Sequence, residues 1–271
     1  DNIYVGGSFT SFNNLNRSGL VKVEIDGPIV NDFDVNISLP FVGLGVEKIV
    51  VQDENLIIGG VFNSNNIDQF VKVNSNTGVI DADFNNENAF NNDFTNVDRI
   101  EVRGVDAQSD GKILVYGGTV NSEIGGFINR FTADGTKDDS FSTIDLSDFN
   151  ITTATVLNND EIVLATYFSG GFSSNDLLPI IRLNPNGTLI DDRSLSSNQD
   201  WLNVMLPISD SEIIIGGNFD AINQLSVNSL AKISLDAPFN NYNSGLSERS
   251  QIMAIDQINN EEIIIGGVFS T

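Results

Sequence analysis

The sequence has no cysteine and no histidine, and it is poor in basic residues, proline and tryptophan. Its 271 residues include 6 prolines and 1 tryptophan. Without cysteine there is no disulfide framework and no thiolate chemistry. Without histidine, Ser-His-Asp triads, zinc-histidine sites and histidine general bases are excluded together. The two absences remove several large classes of enzyme.

The charge is strongly one-sided. Thirteen Lys and Arg residues stand against 37 Asp and Glu residues, for a formal net charge of −24. A surface of this sign repels phosphate backbones and anionic bilayers. No stretch approaches the about 18 consecutive apolar residues that a transmembrane helix needs. We therefore predict no nucleic-acid partner and no membrane insertion.

An aliphatic run followed by two glycines returns along the chain, and its clearest copy is Ile-Ile-Ile-Gly-Gly-Asn-Phe at residues 213–219. The first glycine of each copy is Gly6, Gly59, Gly117, Gly216 or Gly266, and Ala165 takes this place in a degenerate copy. The intervals are 53, 58, 48, 51 and 50 residues. Self-similarity with a period of about 50 residues indicates a propeller or a repeat array.

The repeated stretch predicts a β-strand. Gly-Gly is costly in a helix, and an unbroken run of aliphatic residues is typical of a strand that is buried on both faces. The glycine pair marks a bulge or a place where a neighbouring backbone comes close. We predict that the aromatic residue after the glycines anchors the core, at Phe9, Phe62, Phe168, Phe219 and Phe269.

Each repeat has three further strand candidates. The glycine strand is followed by a strand with one basic residue, by an Asp/Asn-Gly turn with a return strand, and by a strand that leads to the next glycine strand. The basic residues are Lys22, Lys72, Arg130, Arg182 and Lys232. No segment predicts a helix. The pattern predicts an all-β fold, a β-propeller of four-stranded antiparallel blades.

We expect a single β-propeller domain over residues 1–271. Its five full repeats span approximately 1–54, 55–111, 112–160, 161–211 and 212–261, and a partial repeat spans 262–271. Five closed blades need only five glycine strands, so the sixth is surplus. We therefore expect these residues to be part of a larger propeller.

The combined motif resembles the delta-sixty repeat, a bacterial and phage-encoded propeller blade, and it is more loosely similar to Kelch. The motif is Gly-Gly-x-Phe, then apolar-x-Lys/Arg-apolar, an Asp/Asn-Gly turn and Asp-x-x-Phe. The resemblance is strongest at residues 55–84 and 112–141 and weakest at 161–195. Kelch would also require a Tyr and a Trp in each blade, whereas Trp201 stands alone. The resemblance implies a propeller of large secreted, cell-surface or virion proteins, without a catalytic motif.

Two groups of charged residues allow more than one interpretation. The repeated cations could line a channel that holds an anion, but pairing of each head with a nearby carboxylate is the interpretation we favour. The pairs Asp81/Asp83, Asp138/Asp139 and Asp191/Asp192 could contribute to calcium sites, yet none forms the alternating loop of a specific site. We predict no cofactor, with calcium as the alternative.

The remaining candidates concern carbohydrate. A glycosidase needs two carboxylates about 5–10 Å apart, and the nearest candidates on strands are Glu101, Asp106 and Asp256. The aromatic residues could form a sugar-stacking platform, although packing is the more usual role; they are Trp201, Tyr116, Tyr167 and Tyr242. Asparagine-rich loops suit either glycan contact or solvation, at residues 13–14, 63–66, 85–86, 91–92 and 240–241.

These observations predict a non-catalytic structural or binding module with no catalytic, cofactor-binding or metal-binding residue. We expect it on the surface of an assembly, first as a phage virion component such as a tail, fibre or decoration protein. A bacterial cell-surface adhesin is the first alternative, and a carbohydrate-active propeller enzyme is the second. The expected partners are other protein subunits or a cell-surface glycan, at the virion surface or outside the cell.

Overall fold

The computed structural model describes residues 2–39, 44–64, 67–84, 99–120, 125–142, 144–168, 177–196, 201–222, 225–238, 245–247, 250–259 and 261–268. All regular structure within these ranges is β-structure. The prediction of an all-β chain is confirmed.

The strands follow one another without an intervening helix in the described residues. In chain order they are β1 (Asn2–Gly6), β2 (Ser11–Phe12), β3 (Leu15–Asn16), β4 (Leu20–Glu24), β5 (Val46–Gln52), β6 (Asn55–Ser64), β7 (Ile67–Asn74), β8 (Arg99–Ala107), β9 (Ile113–Val120), β10 (Gly126–Phe131), β11 (Phe149–Val156), β12 (Ile162–Phe168), β13 (Leu177–Leu183), β14 (Leu189–Ser196), β15 (Trp201–Ser209), β16 (Glu212–Asn218), β17 (Ala221–Ile222), β18 (Leu225–Ser226), β19 (Leu230–Ser234), β20 (Gln251–Asn259) and β21 (Glu262–Val268).

Six small antiparallel sheets contain the glycine strands. Sheet 1 is β1-β4, sheet 2 is β5-β6-β7, sheet 3 is β8-β9-β10, sheet 4 is β11-β12-β13-β14, sheet 5 is β15-β16-β19 and sheet 6 is β20-β21. The hairpins β2-β3 and β17-β18 are separate. Isolated bridges from Val73 to Ile80 and from Phe131 to Lys137 occupy the fourth-strand position of sheets 2 and 3. The turns before these bridges use Gly78 and Gly135 at φ of 76° and 88°, a region that glycine enters without steric cost.

In sheets 2 to 6 the glycine strand pairs with the strand that precedes it in the chain. β5 pairs with β6, β15 with β16 and β20 with β21. The strand that closes a sequence repeat therefore belongs to the next sheet, and the sheets are offset by one strand from the repeats 1–54 to 212–261.

The sheets form two compact units. The first comprises Asp1–Ile124 with Ile128–Phe141, and the second comprises Gly125–Phe127 with Ser142–Thr271. Sheets 1 to 3 lie mainly in the first unit, and sheets 4 to 6 lie in the second. The single-domain prediction stays a prediction.

A bulge recurs at one place in the first strand of sheets 2 to 6. The register shifts between Val46 and Lys48, and it shifts again at the equivalent residues of β8, β11, β15 and β20. A bulge adds one residue to a strand and increases its local twist. The extra residues are Glu47, Arg103, Thr152, Asn203 and Met253.

The register corrects one equivalence. Gly59 lies opposite Lys48, whereas in sheet 3 the residue opposite Gly104 is Tyr116. The prediction that Gly117 holds the Gly59 position is therefore wrong by one residue. A Cβ on Gly104 would clash with the Tyr116 ring, so glycine and the bulky residue have exchanged strands.

The aliphatic runs are buried between consecutive sheets. Leu56 and Ile58 pack in a core with Leu20, Phe33 and Val46 of the first unit. Ile213 and Ile215 pack in the corresponding core of the second unit with Val163 and Ala165.

The prediction that the aromatic residues after the glycines anchor the core is confirmed for only some of them. Phe62 and Phe219 are buried as predicted, and Phe9 is half-buried against Phe12. The side chain of Phe168 and the whole of Phe269 lie outside the described residues.

Candidate functional site

In each of the first five sheets the repeated cation is buried or half-buried on the strand that follows the glycine strand within the sheet, namely β4, β7, β10, β13 or β19. In sheets 1 to 3 the head also lies over a phenylalanine of the same repeat. Lys22 Nζ is 5.9 Å from the ring centroid of Phe33, and Lys72 Nζ is 5.9 Å from that of Phe84. The cation lies close to the face of the ring, and the quadrupole of the aromatic ring attracts a positive charge there.

Lys22 and Lys72 bind backbone oxygens of the following sheet. Lys22 donates a hydrogen bond to the Ser75 carbonyl oxygen at 2.9 Å, and Lys72 donates one to the Ala133 carbonyl oxygen at 3.4 Å. Ser75 and Ala133 open the equivalent turns after β7 and β10. Lys72 is also 3.5 Å from an Asp81 carboxylate oxygen. These lysines therefore fasten one sheet to the turn of the next.

Arg130 and Lys22 are the two buried members of the set. Arg130 Nε donates to Asp138 at 2.9 Å and its Nη1 donates to Gln108 at 3.3 Å. Its guanidinium carbon lies 4.9 Å from the ring centroid of Phe141. Hydrogen bonds from Ser140, with the Arg130 charge as a further contribution, lower the pKa of Asp138. The Asp138 carboxylate therefore stays ionised beside the arginine.

Arg182 joins sheets 4 and 5 of the second unit. It donates to Glu161 of its own sheet at 2.6 Å, to the Asp236 carboxylate at 2.6 Å and to the Asp210 carbonyl oxygen at 3.0 Å. Burial of the guanidinium opposes its charge, but the hydrogen bonds to Asp236 and Glu161 outweigh burial and raise the pKa of Arg182. Arg182 therefore holds sheets 4 and 5 together.

Lys232 differs from the other paired cations because its side chain remains 39% exposed, against 6 to 18% for the side chains of Lys72, Arg130 and Arg182. It pairs with Glu212 of its own sheet at 3.0 Å. The expected pairing with a carboxylate is found at Lys72, Arg130, Arg182 and Lys232. Lys22 departs from it, with a backbone carbonyl as its hydrogen-bond acceptor.

Two of the paired aspartates accept hydrogen bonds from backbone amides within their turns. Asp81 accepts a hydrogen bond from the Asp83 backbone at 3.1 Å, and Asp138 accepts one from the Ser140 backbone at 3.0 Å. Asp191 lies opposite Arg182 on β14, and Asp192 lies opposite Ile181. Within the described ranges, no group of three or more acidic, histidine or cysteine residues could hold a metal ion.

The three carboxylates proposed for carbohydrate chemistry have different partners. Asp106 and Asp256 accept hydrogen bonds from the next backbone amide, at 2.9 Å and 2.7 Å. They occupy the same position of β8 and β20, in different units. Glu101 is distinct, since it forms an ion pair with Arg103 at 2.9 Å.

A further carboxylate, Glu47, joins Glu101 and Arg103, and sequence reasoning missed it. Glu47 and Arg103 are the extra residues of equivalent bulges in β5 and β8. Although Glu47 retains solvent exposure, burial of its carboxyl raises its pKa; Arg103 opposes this effect and Glu101 adds to it. Only the register identifies Glu47 and Arg103 as bulge residues of neighbouring strands, and no spacing in the sequence marks them.

The aromatic residues do not form a platform in the described part of the chain. Tyr116 is buried in the first unit, and Tyr167 packs against the core of the second. Tyr242 and the Trp201 side chain lie outside the described residues. Of the asparagine loops, Asn13 and Asn14 form a tight turn with φ of 48° and 63°. The side chain of Asn63 and all of Asn65, Asn66 and residues 85–86, 91–92 and 240–241 also lie outside that part.

Comparison with known protein families gives a match to one part of the chain. Residues 108–141 match the family described as Domain of unknown function (DUF5122) beta-propeller. The chain has an all-β, β-propeller fold. The matched residues run from the end of β8 through β9, β10 and the Asp-x-x-Phe turn, so they contain Arg130, Asp138 and Phe141. A search of curated proteins finds no match.

None of the described residues forms a helix long and apolar enough to cross a bilayer.

Proposed function

We propose that this β-propeller is a non-catalytic structural and binding module of a surface-exposed assembly, with blades of the delta-sixty type. The first choice is a phage virion component, namely a tail, fibre or decoration protein, and the second is a bacterial cell-surface adhesin. The expected partners are other protein subunits of the assembly or a cell-surface glycan. Nucleic acid is not an expected partner.

The observation that carries the proposal is the use of the repeated cations. At Lys22, Lys72 and Arg182 the head holds the turn of the following sheet, and at Arg130 it binds Asp138 and Gln108. Three of the five repeat positions therefore join one blade to the next, whereas Arg130 and Lys232 pair with residues of their own sheets. Contacts with a partner would come from the variable loops between the strands, as in other repeat scaffolds.

The net charge of −24 fits this role. A strongly acidic surface resists self-association and nonspecific binding to nucleic acid. The absence of cysteine and histidine leaves a scaffold that depends on packing rather than on redox state or on titration near neutral pH.

The location can be tested with an antibody raised against the purified chain. Phage particles and cell envelopes from the source culture are separated by density and labelled for electron microscopy. We expect label on the particles. Label on cell envelopes alone would favour the adhesin, and a signal confined to the cytosol would contradict a surface role. Binding to a glycan array would separate a glycan partner from a protein partner.

The cluster of Glu47, Glu101 and Arg103 favours the carbohydrate-active enzyme as a second candidate. A protonated carboxyl beside an ionised carboxylate is the arrangement that lets one act as an acid and the other as a base or nucleophile. Arg103 forms an ion pair with Glu101 at 2.9 Å, while burial raises the pKa of Glu47 and keeps its carboxyl protonated to higher pH.

The enzyme candidate predicts turnover on a polysaccharide panel that Glu47→Gln and Glu101→Gln each abolish. Glu24→Gln, on the exposed end of β4, is the matched control. Because Glu47 would act as the acid, activity should fall as the pH rises through its raised pKa. Absence of turnover in the unchanged protein, or equal activity in all variants, would leave the binding module.

A further inference from the structure

The bulges of neighbouring sheets contact each other, and the contact is a hydrogen bond between sheets 5 and 6. Asn203 is the extra residue of β15. Its side-chain amide donates a hydrogen bond to the Ile252 carbonyl oxygen at 2.8 Å. Ile252 is the residue directly before the bulge of β20. A bulge residue of one sheet therefore binds the backbone at the bulge of the next sheet.

Glu47 occupies the equivalent position between sheets 2 and 3. It is the extra residue of β5, and Val102 of β8 is the residue directly before the bulge residue Arg103. The buried Val102 is already held by sheet 2 on its amide side, since its N–H donates to Gln69 Oε1 at 3.1 Å. Its carbonyl oxygen is the counterpart of the acceptor that Asn203 binds.

The two bulge residues differ in when they can donate. The amide of Asn203 is a donor at every pH, whereas a carboxyl group donates a hydrogen bond only in its protonated form. The length of the side chain also matters, because Thr152, the bulge residue of β11, bonds to Ala165 of its own sheet at 3.2 Å. Glu47 is longer than asparagine by one methylene group. It can therefore take the role of Asn203, but only while it is neutral.

The groups around Glu47 favour its neutral form. The charged groups that face it from β8 are Arg103 and Glu101, which form an ion pair with each other at 2.9 Å. Lys48 follows it on its own strand, opposite Gly59. Burial raises the pKa of Glu47; Arg103 opposes this effect and Glu101 adds to it. The neutral carboxyl therefore persists to higher pH than in an ordinary glutamate.

We propose that Glu47 and the bulge of β8 form a pH-dependent latch between sheets 2 and 3. The neutral carboxyl closes the latch by donating a hydrogen bond to the Val102 carbonyl oxygen. Loss of the proton to solvent removes the donor and leaves a negative charge near Glu101, so the latch opens. The two sheets are held most tightly in acid. The latch goes beyond both functions proposed above, because it requires neither a partner nor turnover.

The test compares Glu47→Gln with the unchanged 271-residue protein between about pH 4 and pH 8. Glutamine keeps a donor at every pH and should hold the latch closed. Hydrogen exchange of the Val102 amide is measured by NMR in both proteins, and their ratio cancels the intrinsic effect of pH. The rates should be equal below the ordinary glutamate pKa of 4.5.

The difference should appear as the pH rises through the raised pKa of Glu47, since a raised carboxyl pKa contributes stability that is lost when the proton leaves. The Val102 amide of the unchanged protein should then exchange about two- to tenfold faster than that of Glu47→Gln, the range of one net hydrogen bond. Glu54→Gln is the matched control. It removes one charge from the exposed turn at the other end of β5 and should behave as the unchanged protein does.

Asn203→Asp supplies the reverse experiment. It places a carboxyl group where an amide now binds the Ile252 carbonyl oxygen. Exchange of the Ile252 amide, relative to the unchanged protein, should become faster as the pH rises. An Ile252 amide that does not respond to pH in this variant would overturn the equivalence of the two bulges.

A titration of the unchanged protein needs no variant. The Glu47 carboxyl carbon and the Val102 carbonyl carbon should shift together in NMR spectra, with one midpoint. The latch is overturned if the Val102 resonance ignores that midpoint, if Val102 exchanges equally in the unchanged protein and Glu47→Gln across the range, or if Glu54→Gln reproduces the effect. Faster exchange in acid would also contradict it.

Discussion

Two strands of this protein share six consecutive residues and have opposite surroundings. β16 and β21 both begin Glu-Ile-Ile-Ile-Gly-Gly, at residues 212–217 and 262–267. In β16 the five residues after the glutamate are buried, whereas in β21 the side chains alternate between half-buried and exposed. Both segments are strands of nearly equal length. Local sequence therefore determines the strand, and the neighbouring sheet determines its burial.

The difference lies on one face. Ile213 and Ile215 face the preceding sheet in β16, and Ile263 and Ile265 do the same in β21. Ile214 packs with Ile252 and Ile255 of sheet 6, while Ile264 has no following sheet among the described residues. The comparison therefore isolates how much the packing of a following sheet contributes to the burial and stability of a strand, because the two strand sequences are the same.

The largest expected contrast is between Ile214→Ala and Ile264→Ala. Truncation of the buried Ile214 removes packing and leaves a cavity, so it should lower the free energy of unfolding by about 2–5 kcal/mol. Truncation of Ile264 should cost under about 1 kcal/mol, mostly through lost strand propensity. Urea titration followed by tryptophan fluorescence and circular dichroism measures both. Equal losses would show that the open face is covered in solution.

A smaller contrast is expected at the glycines. Gly216→Ala places a methyl group against Ile252 and should cost about 1–3 kcal/mol, because a packed interface must move apart. Gly266→Ala meets only Ala254 and should lie within about 0.5 kcal/mol of the unchanged protein. Thermal unfolding of the two variants gives the comparison. A destabilised Gly266→Ala would contradict the open space described here.

The cations extend the comparison to polar contacts. Arg182→Met removes hydrogen bonds to Glu161, Asp236 and the Asp210 carbonyl, with an expected cost of about 1–3 kcal/mol. Lys232→Met removes one exposed pair and should cost under about 1 kcal/mol. The loss at Arg182 should shrink less in 0.5 M salt than the loss at Lys232, because buried pairs are screened less. Matching losses and matching salt responses would remove the distinction between the two cations.

Much of the fold could be predicted from the sequence because the same residue types recur at the same positions of each repeat. The aliphatic runs, the basic strands and the Asp/Asn-Gly turns each indicated a strand or turn that the structure contains. Pairing was harder, because both neighbours of a glycine strand are equally compatible with it. The offset of one strand between repeats and sheets follows from register, which the periodicity does not contain.

The exchange at Tyr116 shows a second limit. The sequence repeat aligned Gly117 with Gly59, since both begin a Gly-Gly pair. The register instead aligns Tyr116 with Gly59, and Gly104 on the partner strand makes room for the ring. A motif that is matched along a single strand cannot show that a small residue on the neighbouring strand makes room for a large one.

The candidate site shows a third limit. The repeated cations were identified from spacing, and their pairing with carboxylates followed from elementary electrostatics. The cluster of Glu47 with Glu101 and Arg103 did not, since it depends on the bulges of two different sheets.

Hydrogen exchange of the two identical hexapeptides tests the central claim most directly. Mass spectrometry of peptides that cover residues 212–217 and 262–267 compares the same amides in the two settings. We predict slow exchange throughout β16, which is paired on both edges. In β21 we predict protection only of the amides that face β20, with fast exchange of the others. Equal and complete protection of both hexapeptides would contradict the open edge and the account built on it.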